Sequence, residues 1–136
     1  MTATLIDSNV LIDVATGDQK WAAWSEAALA STADMGRLVI NPIVYAEVSV
    51  AYERIEQLET ALPRAMFGRE DLPWEAGFLA GKAFVAYRRR GGVKRSTLRD
   101  FYIGAHAAIR GYRLLTRDIR RYRNAFPSVE ILASQG

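Results

Sequence analysis

The stretch Leu5-Ile6-Asp7-Ser8-Asn9-Val10-Leu11-Ile12 decides the fold. It begins inside a short apolar run, Ala3 to Ile6, in which Thr4 and Ile6 are β-branched. With no polar alternation, that run predicts a buried strand of a parallel sheet covered on both faces. The run stops at Asp7, and Ser8 or Asn9 can then cap a helix through Val10, Leu11 and Val14. A carboxylate therefore stands where a first strand ends and a helix begins, the edge at which open α/β sheets bind ligands. A plain helix cap is the simpler role for a lone Asp at such a junction. The choice turns on whether other carboxylates reach the same place.

Further segments extend the pattern. A helix is expected from Gln19 to Ala33, then a second strand over Arg37-Leu38-Val39-Ile40. Asn41-Pro42 is a cap with proline at the first helical position, opening a helix from Ile43 to Tyr52 that carries Glu47. A helix from Glu53 is bent or stopped at Pro63, Phe67-Gly68 reads as a break, and Glu70-Asp71-Leu72 as a short edge strand. Pro73 starts a helix from Trp74 to Arg90, closed by Gly91-Gly92. Ser96 or Thr97 caps a helix from Leu98 to Arg110; Arg113 to Thr116 is a fourth strand, followed by a basic helical turn, and Val129 to Leu132 a last strand. Strands alternating with helices predict an α/β fold with a parallel sheet. At 136 residues with no repeat or linker, one domain over 1–136 is expected.

Composition narrows the function classes. Half of the chain is apolar and it has no cysteine, which excludes disulfides and thiolate metal sites and fits a reducing compartment. No apolar run approaches a membrane span, so a cytoplasmic protein is expected. The net charge of +3 hides an asymmetry. Residues 1–80 carry 5 basic and 12 acidic side chains, a balance of −7; residues 81–136 carry 13 and 3, a balance of +10. That split points to a polyanionic partner, with a solvated basic face as the plain alternative.

Four carboxylates stand at element boundaries or in apolar surroundings. Asp7 ends the first strand. Glu47 lies in Val44-Tyr45-Ala46-Glu47-Val48, Asp100 one turn inside the helix that begins at Leu98, and Asp118 just after the fourth strand. Right-handed crossovers bring those positions to one sheet edge. Clustered acids of this kind cannot all ionise without a counter-charge. Oxygen ligands alone suit Mg²⁺ or Mn²⁺. A divalent ion held by acids beside a basic surface is equipment for phosphodiester hydrolysis.

These residues resemble a known family. Leu5-Ile6-Asp7-Ser8-Asn9-Val10-Leu11, Glu47, Arg99-Asp100 with its Ala/Gly-rich helix, and Leu115-Thr116-Arg117-Asp118 are similar to the motifs of the PIN-domain ribonucleases, and most of all to VapC-type toxins of prokaryotic toxin–antitoxin pairs. Ser8 stands where the family often has Thr, and Arg99-Asp100 where it usually has Pro-Asp. The resemblance implies a PIN-like fold, a central parallel sheet of four to five strands flanked by helices. It implies a Mg²⁺- or Mn²⁺-dependent endoribonuclease in which Asp7, Glu47, Asp100 and Asp118 are the catalytic, metal-holding acids. Ser8, Asn9 and Thr116 match supporting polar positions. It also implies an antitoxin partner and a homodimer. The alternative is a catalytically silent RNA-binding or regulatory module on the same fold.

The remaining signals are weighed against plainer roles. His106 lies six residues from Asp100, about 240° around a helix, and points elsewhere. Gly104, at i+4 from Asp100, leaves room on that face for a metal or phosphate. Asp13 is an extra acid near the site or a solvated helix residue. Arg95, Arg117, Arg120 and Arg121 flank the late acids and suit phosphate through their planar forks. Tyr112 and Tyr122 could stack on unpaired bases or simply pack. Trp21, Trp24, Tyr45 and Tyr52 are core residues or the walls of an apolar groove for a partner peptide, which the family resemblance would make an antitoxin tail. An aspartyl-phosphate phosphohydrolase would want a second acid at position 9, where Asn9 stands, and no glycine-rich phosphate loop is present.

Overall fold

The computed structural model describes residues 2–91 and 97–133. Among these the chain forms β1 (Thr4–Ile6), α1 (Ser8–Thr16), α2 (Ala22–Met35), β2 (Leu38–Ile40), α3 (Pro42–Ser49), α4 (Ile55–Ala61), β3 (Phe67–Arg69), α5 (Trp74–Arg89), α6 (Leu98–Arg110), β4 (Arg113–Leu115), α7 (Ile119–Arg123) and β5 (Ile131–Leu132). The sheet is parallel throughout, in the order β3-β2-β1-β4-β5. Strands buried on both faces need apolar residues at every position. Leu5, Ile6, Val39, Ile40, Leu114 and Leu115 meet that need, and all are fully buried.

The order of strands locates the site. From β1 the chain moves outward through β2 to β3, then returns to the other side of β1 as β4 and β5. With right-handed crossovers, α1 to α4 cover one face and α5 to α7 the other. Helix α1 packs on α2 and α3, and α5 on α6, in keeping with that division. The connections after β1 and β4 thus leave in opposite directions, and the crevice between them is the switch point where such sheets bind ligands. Asp7 and Asp118 follow these two strands.

Two expectations are corrected here. The third strand is Phe67–Arg69, one step earlier than Glu70-Asp71-Leu72. Phe67-Gly68 is strand rather than break because it pairs with Leu38 and Val39, and a Cβ at Gly68 would lie 2.7 Å from Arg37 Nη1. The glycine lets the Arg37 side chain lie close over the strand, and sequence alone disguises it as a chain breaker. Helix α4 ends at Ala61, stopped ahead of Pro63. Gly92 and Ser96 lie outside the described residues; Thr97 is the residue that precedes α6.

His106 is completely buried. The Asn41 side-chain amide donates to its Nδ1 at 3.0 Å, and its Nε2 faces Glu70 Oε1 at 3.3 Å. Glu70 also pairs with Arg37 and accepts from the Tyr112 hydroxyl. His106 therefore ties α6 to the ends of β2 and β3 and has no place among the acids. Burial holds it neutral by lowering its pKa, against the opposing pull of Glu70.

Candidate active site at the β1–β4 edge

Asp7 is 1 % exposed and sits at the N-cap position of α1, yet its side chain makes no capping bond. Its Oδ2 instead accepts hydrogen bonds from Thr116 Oγ1 at 2.8 Å and from the Tyr122 hydroxyl at 2.9 Å. Its Oδ1 faces Ser8 Oγ at 3.5 Å. Among the plain alternatives, the cap role is therefore removed. Burial raises the Asp7 pKa, and the bonds from Thr116 and Tyr122 and the charge of Arg121 offset that only in part; Glu47 adds to the rise.

The other acids are joined to Asp7 through short links. Ser8 Oγ donates to Glu47 Oε1 at 2.7 Å, so one hydroxyl spans the first two acids. Thr116 Oγ1 accepts from Asn9 Nδ2 at 3.3 Å and from the Asp118 backbone N–H at 3.0 Å. One threonine thus fixes both Asp7 and the loop that carries Asp118. Asp100 Oδ2 accepts from the Thr97 backbone N–H at 2.7 Å and from Thr97 Oγ1 at 3.2 Å, which locks it in the first turn of α6. Its Oδ1 lies 3.4 Å from Arg121 Nη1, and Asp118 Oδ2 lies 3.7 Å from Arg121 Nη2. Burial opposes the charge of Arg121, but Tyr122, Asp100 and Asp7 outweigh it and its pKa is raised.

Among the described residues, no three acidic or imidazole groups stand close enough together to form a ready-made metal site. The donor set nevertheless fits a hard divalent cation, being made of carboxylate oxygens with a fixed supporting hydroxyl. Between Asp100 and Asp118 a cation is already present, the guanidinium of Arg121. The residues that could hold a metal are Asp7, Asp100 and Asp118, with Glu47 reaching the group through Ser8.

Other expected residues are distributed more widely. Asp13 is buried, accepting from Ser25 Oγ at 3.1 Å and from Arg117 Nε at 2.7 Å. It is a fixed anchor rather than a solvated helix residue. Arg117 also lies over the Trp21 ring, 5.5 Å from its centre. Arg120 is exposed, and Arg95 lies outside the described residues. Trp21 and Trp24 meet edge to face at 6.2 Å, both half-buried. Tyr45 is on the far side of α3, donating to Glu59 Oε2 at 2.6 Å beneath Arg69. Tyr52 packs half-buried against the core. A cavity of about 330 Å³ beside α3 is lined by Ile12, Ile43, Ala46, Glu47, Val50 and Arg99, none of them one of the four aromatics.

The structure narrows Tyr122 to one of its two expected roles and overturns the reading of Gly104. Tyr122 is fully buried and serves Asp7, so it offers no face to a base. Its signal was faint: one aromatic among three arginines of a short helix, with a single side of that helix facing inward. Gly104 leaves no room for a ligand either, because Phe126 and Tyr122 fill the space; a Cβ there would meet Phe126 Cδ2 and Cε2 at 2.4 Å and Tyr122 Cδ1 at 3.0 Å.

Comparison with known proteins agrees with this architecture. The family model for the PIN domain matches residues 4–127. No curated protein sequence matches the chain. Among solved structures, the chain is similar to VapBC2 from Rickettsia felis bound to a DNA fragment from their promoter, with a TM-score of 0.74, 17 % identity and coverage of 98 % of this chain and 99 % of that one. It is similar to VapBC-1 from nontypeable Haemophilus influenzae, with a TM-score of 0.73, 17 % identity and coverage of 96 % and 97 %. A toxin–antitoxin complex from Klebsiella pneumoniae follows at 0.65 and 21 %, covering 96 % of each chain. At these identities the likeness is one of fold.

Proposed function

We propose a function on the premise that this chain belongs to the PIN-domain family: it is a divalent-metal-dependent endoribonuclease, the toxin of a toxin–antitoxin pair. The observation that carries the reading is the linked set Glu47–Ser8–Asp7–Thr116, with Asp100 and Asp118 joined through Arg121 at the sheet's switch point. In this reading Asp7, Asp100, Asp118 and Glu47 hold Mg²⁺ or Mn²⁺. When bound, the metal supplies an activated water and stabilises charge developing on the phosphate. Thr116 and Tyr122 fix the rotamer of Asp7, so that its Oδ1 is the oxygen left for a ligand. Arg120 and Arg123, exposed on α7, suit RNA phosphates.

The partners follow from the same reading. Solved complexes of this fold include toxin–antitoxin pairs, and we extend that to a small co-encoded antitoxin for this chain. Self-association as a dimer has its own support. Trp74 and Phe78, at i and i+4 on α5, are 93 % and 72 % exposed, and Val85 lies further along the same helix, also exposed. No helix among the described residues is long and apolar enough to cross a membrane; with the absence of cysteine, this suits a cytoplasmic setting.

The test is cleavage of single-stranded RNA by purified protein with Mg²⁺ or Mn²⁺. Chelation should stop it, and Asp7→Asn and Asp100→Asn should each lower the rate by about 100-fold or more while the protein stays folded. Undiminished cleavage in excess chelator would refute the metal reading. Salt-sensitive RNA binding without cleavage would favour the silent-module alternative.

A further inference from the structure

Arg121 is in an unusual position for a residue beside a phosphodiester-cleaving site. Its guanidinium does not face open solvent, where a phosphate would arrive. It turns inward between Asp100 and Asp118, with its side chain 22 % exposed. The contacts at 3.4 and 3.7 Å are longer than good charge-assisted hydrogen bonds, and each acid meets a different nitrogen. Its Nε is buried with no hydrogen-bond partner. The fork therefore meets the charge of its neighbours while its Nε–H stays without a hydrogen bond. A guanidinium chosen for permanent structural pairing is usually bidentate and fully bonded.

The acids supply the other half of the argument. Asp100 and Asp118 are brought to the two sides of one guanidinium, and Asp7 lies near enough to feel its charge; without that cation the three carboxylates lose their counter-charge in the metal-free protein. Asp7 and Asp100 are among the main groups that hold Arg121 charged. Arg121 in turn is one of the groups that keep the Asp7 pKa from rising further. The three acids and the arginine form one electrostatic unit, closed without any bound ion.

We propose that Arg121 is the resident cation of this acid cluster, held there in the absence of metal and displaced when a divalent ion binds. The proposal rests on the metal-dependent reading given above. It makes Arg121 a competitor for the site and a guard of the apo fold. Two requirements follow. Removing the guanidinium must strengthen metal binding, since the ion no longer has to displace a rival. It must also weaken the metal-free fold, since the carboxylates lose their counter-charge.

The experiment is calorimetric titration of the metal-free full-length chain with MnCl₂, without RNA, for the wild type, Arg121→Gln and Arg121→Met. Thermal melts with and without saturating Mn²⁺ accompany it. Both variants should bind Mn²⁺ at least tenfold more tightly than the wild type. Their metal-free melting temperatures should be lower, and Mn²⁺ should raise them by more than it raises the wild type. Arg121→Met keeps the apolar stem and serves if the glutamine variant misfolds. Equal or weaker Mn²⁺ binding by the variants, with the wild-type site still abolished by Asp100→Asn, would overturn the proposal and leave the metal site standing. No Mn²⁺ binding by any of the proteins would overturn both.

Discussion

The chemistry of the site is decided by how single side chains share a few oxygen atoms. Asp7 Oδ2 accepts from Thr116 and from Tyr122, and burial rather than any partner dominates its ionisation. Its folded pKa lies above the ordinary carboxylate value, so the unfolded chain loses its proton first. Stability attributable to Asp7 therefore falls as pH climbs from the unfolded through the folded pKa, and above both the penalty is constant. Asp7→Asn keeps an acceptor for Thr116 and Tyr122 without the buried charge. At pH 7 this variant should melt higher than the wild type in the absence of metal, and the difference should shrink as pH is lowered towards 3. A metal-free Asp7→Asn protein that melts lower than the wild type at pH 7 would show that Arg121 and the two hydroxyls outweigh burial.

At the scale of elements, the site depends on how closely α6 and α7 approach. Helix α6 carries Asp100 near its start and Gly104 one turn later, and α7 with its following turn brings Tyr122 and Phe126 against that glycine. The bare Cα of Gly104 is thus what allows Tyr122 to reach Asp7. Gly104→Ala would press a methyl into the Phe126 ring, and both ring and backbone are buried. It should cost about 1–3 kcal/mol by overpacking, measured as a lower denaturation midpoint in urea. It should also lower RNA cleavage, because the new methyl crowds the neighbouring Tyr122 ring as well, whose hydroxyl orients Asp7. A Gly104→Ala protein of unchanged stability would mean that α7 yields easily and that its contact with α6 is loose.

For the whole molecule, the governing features are charge and one apolar face. The basic late segments and the acidic early ones meet at one sheet edge, so a polyanion drawn by α7 arrives beside the acids. RNA affinity should fall steeply with salt, and Arg120→Glu or Arg123→Glu should each reduce the slope of log K against log salt by about 1 without unfolding the protein. A flat salt response would return these arginines to a solvated face. Trp74 and Phe78 protrude from α5 into solvent. If they bury each other's apolar surface in a dimer, Phe78→Glu should shift the sedimentation coefficient to that of a monomer while leaving the melting temperature within a few degrees. An unchanged sedimentation coefficient for Phe78→Glu would exclude this face as the dimer contact.

Much of this protein was legible along the chain because its signals are local. Apolar runs at Thr4–Ile6, Leu38–Ile40 and Arg113–Leu115 name the central strands, Asn41-Pro42 opens α3, and Asp7, Glu47, Asp100 and Asp118 stand at boundaries that periodicity alone can mark. The placement of β3 was not legible, because Gly68 looks like a breaker until Arg37 is seen lying across it. Nor were the partners of the acids. Ser8 lies 39 residues from Glu47, Thr116 109 residues and Tyr122 115 residues from Asp7. Local propensity carries no information over such separations. Hydrogen-bond direction, burial and the inward turn of Arg121 arise only when strands β1 and β4 pair and α7 closes over them. The sequence alone determined which acids were available and to which edge they belong; the tertiary structure decided what each one touches, because those contacts are made by side chains that the chain brings together only once it has folded.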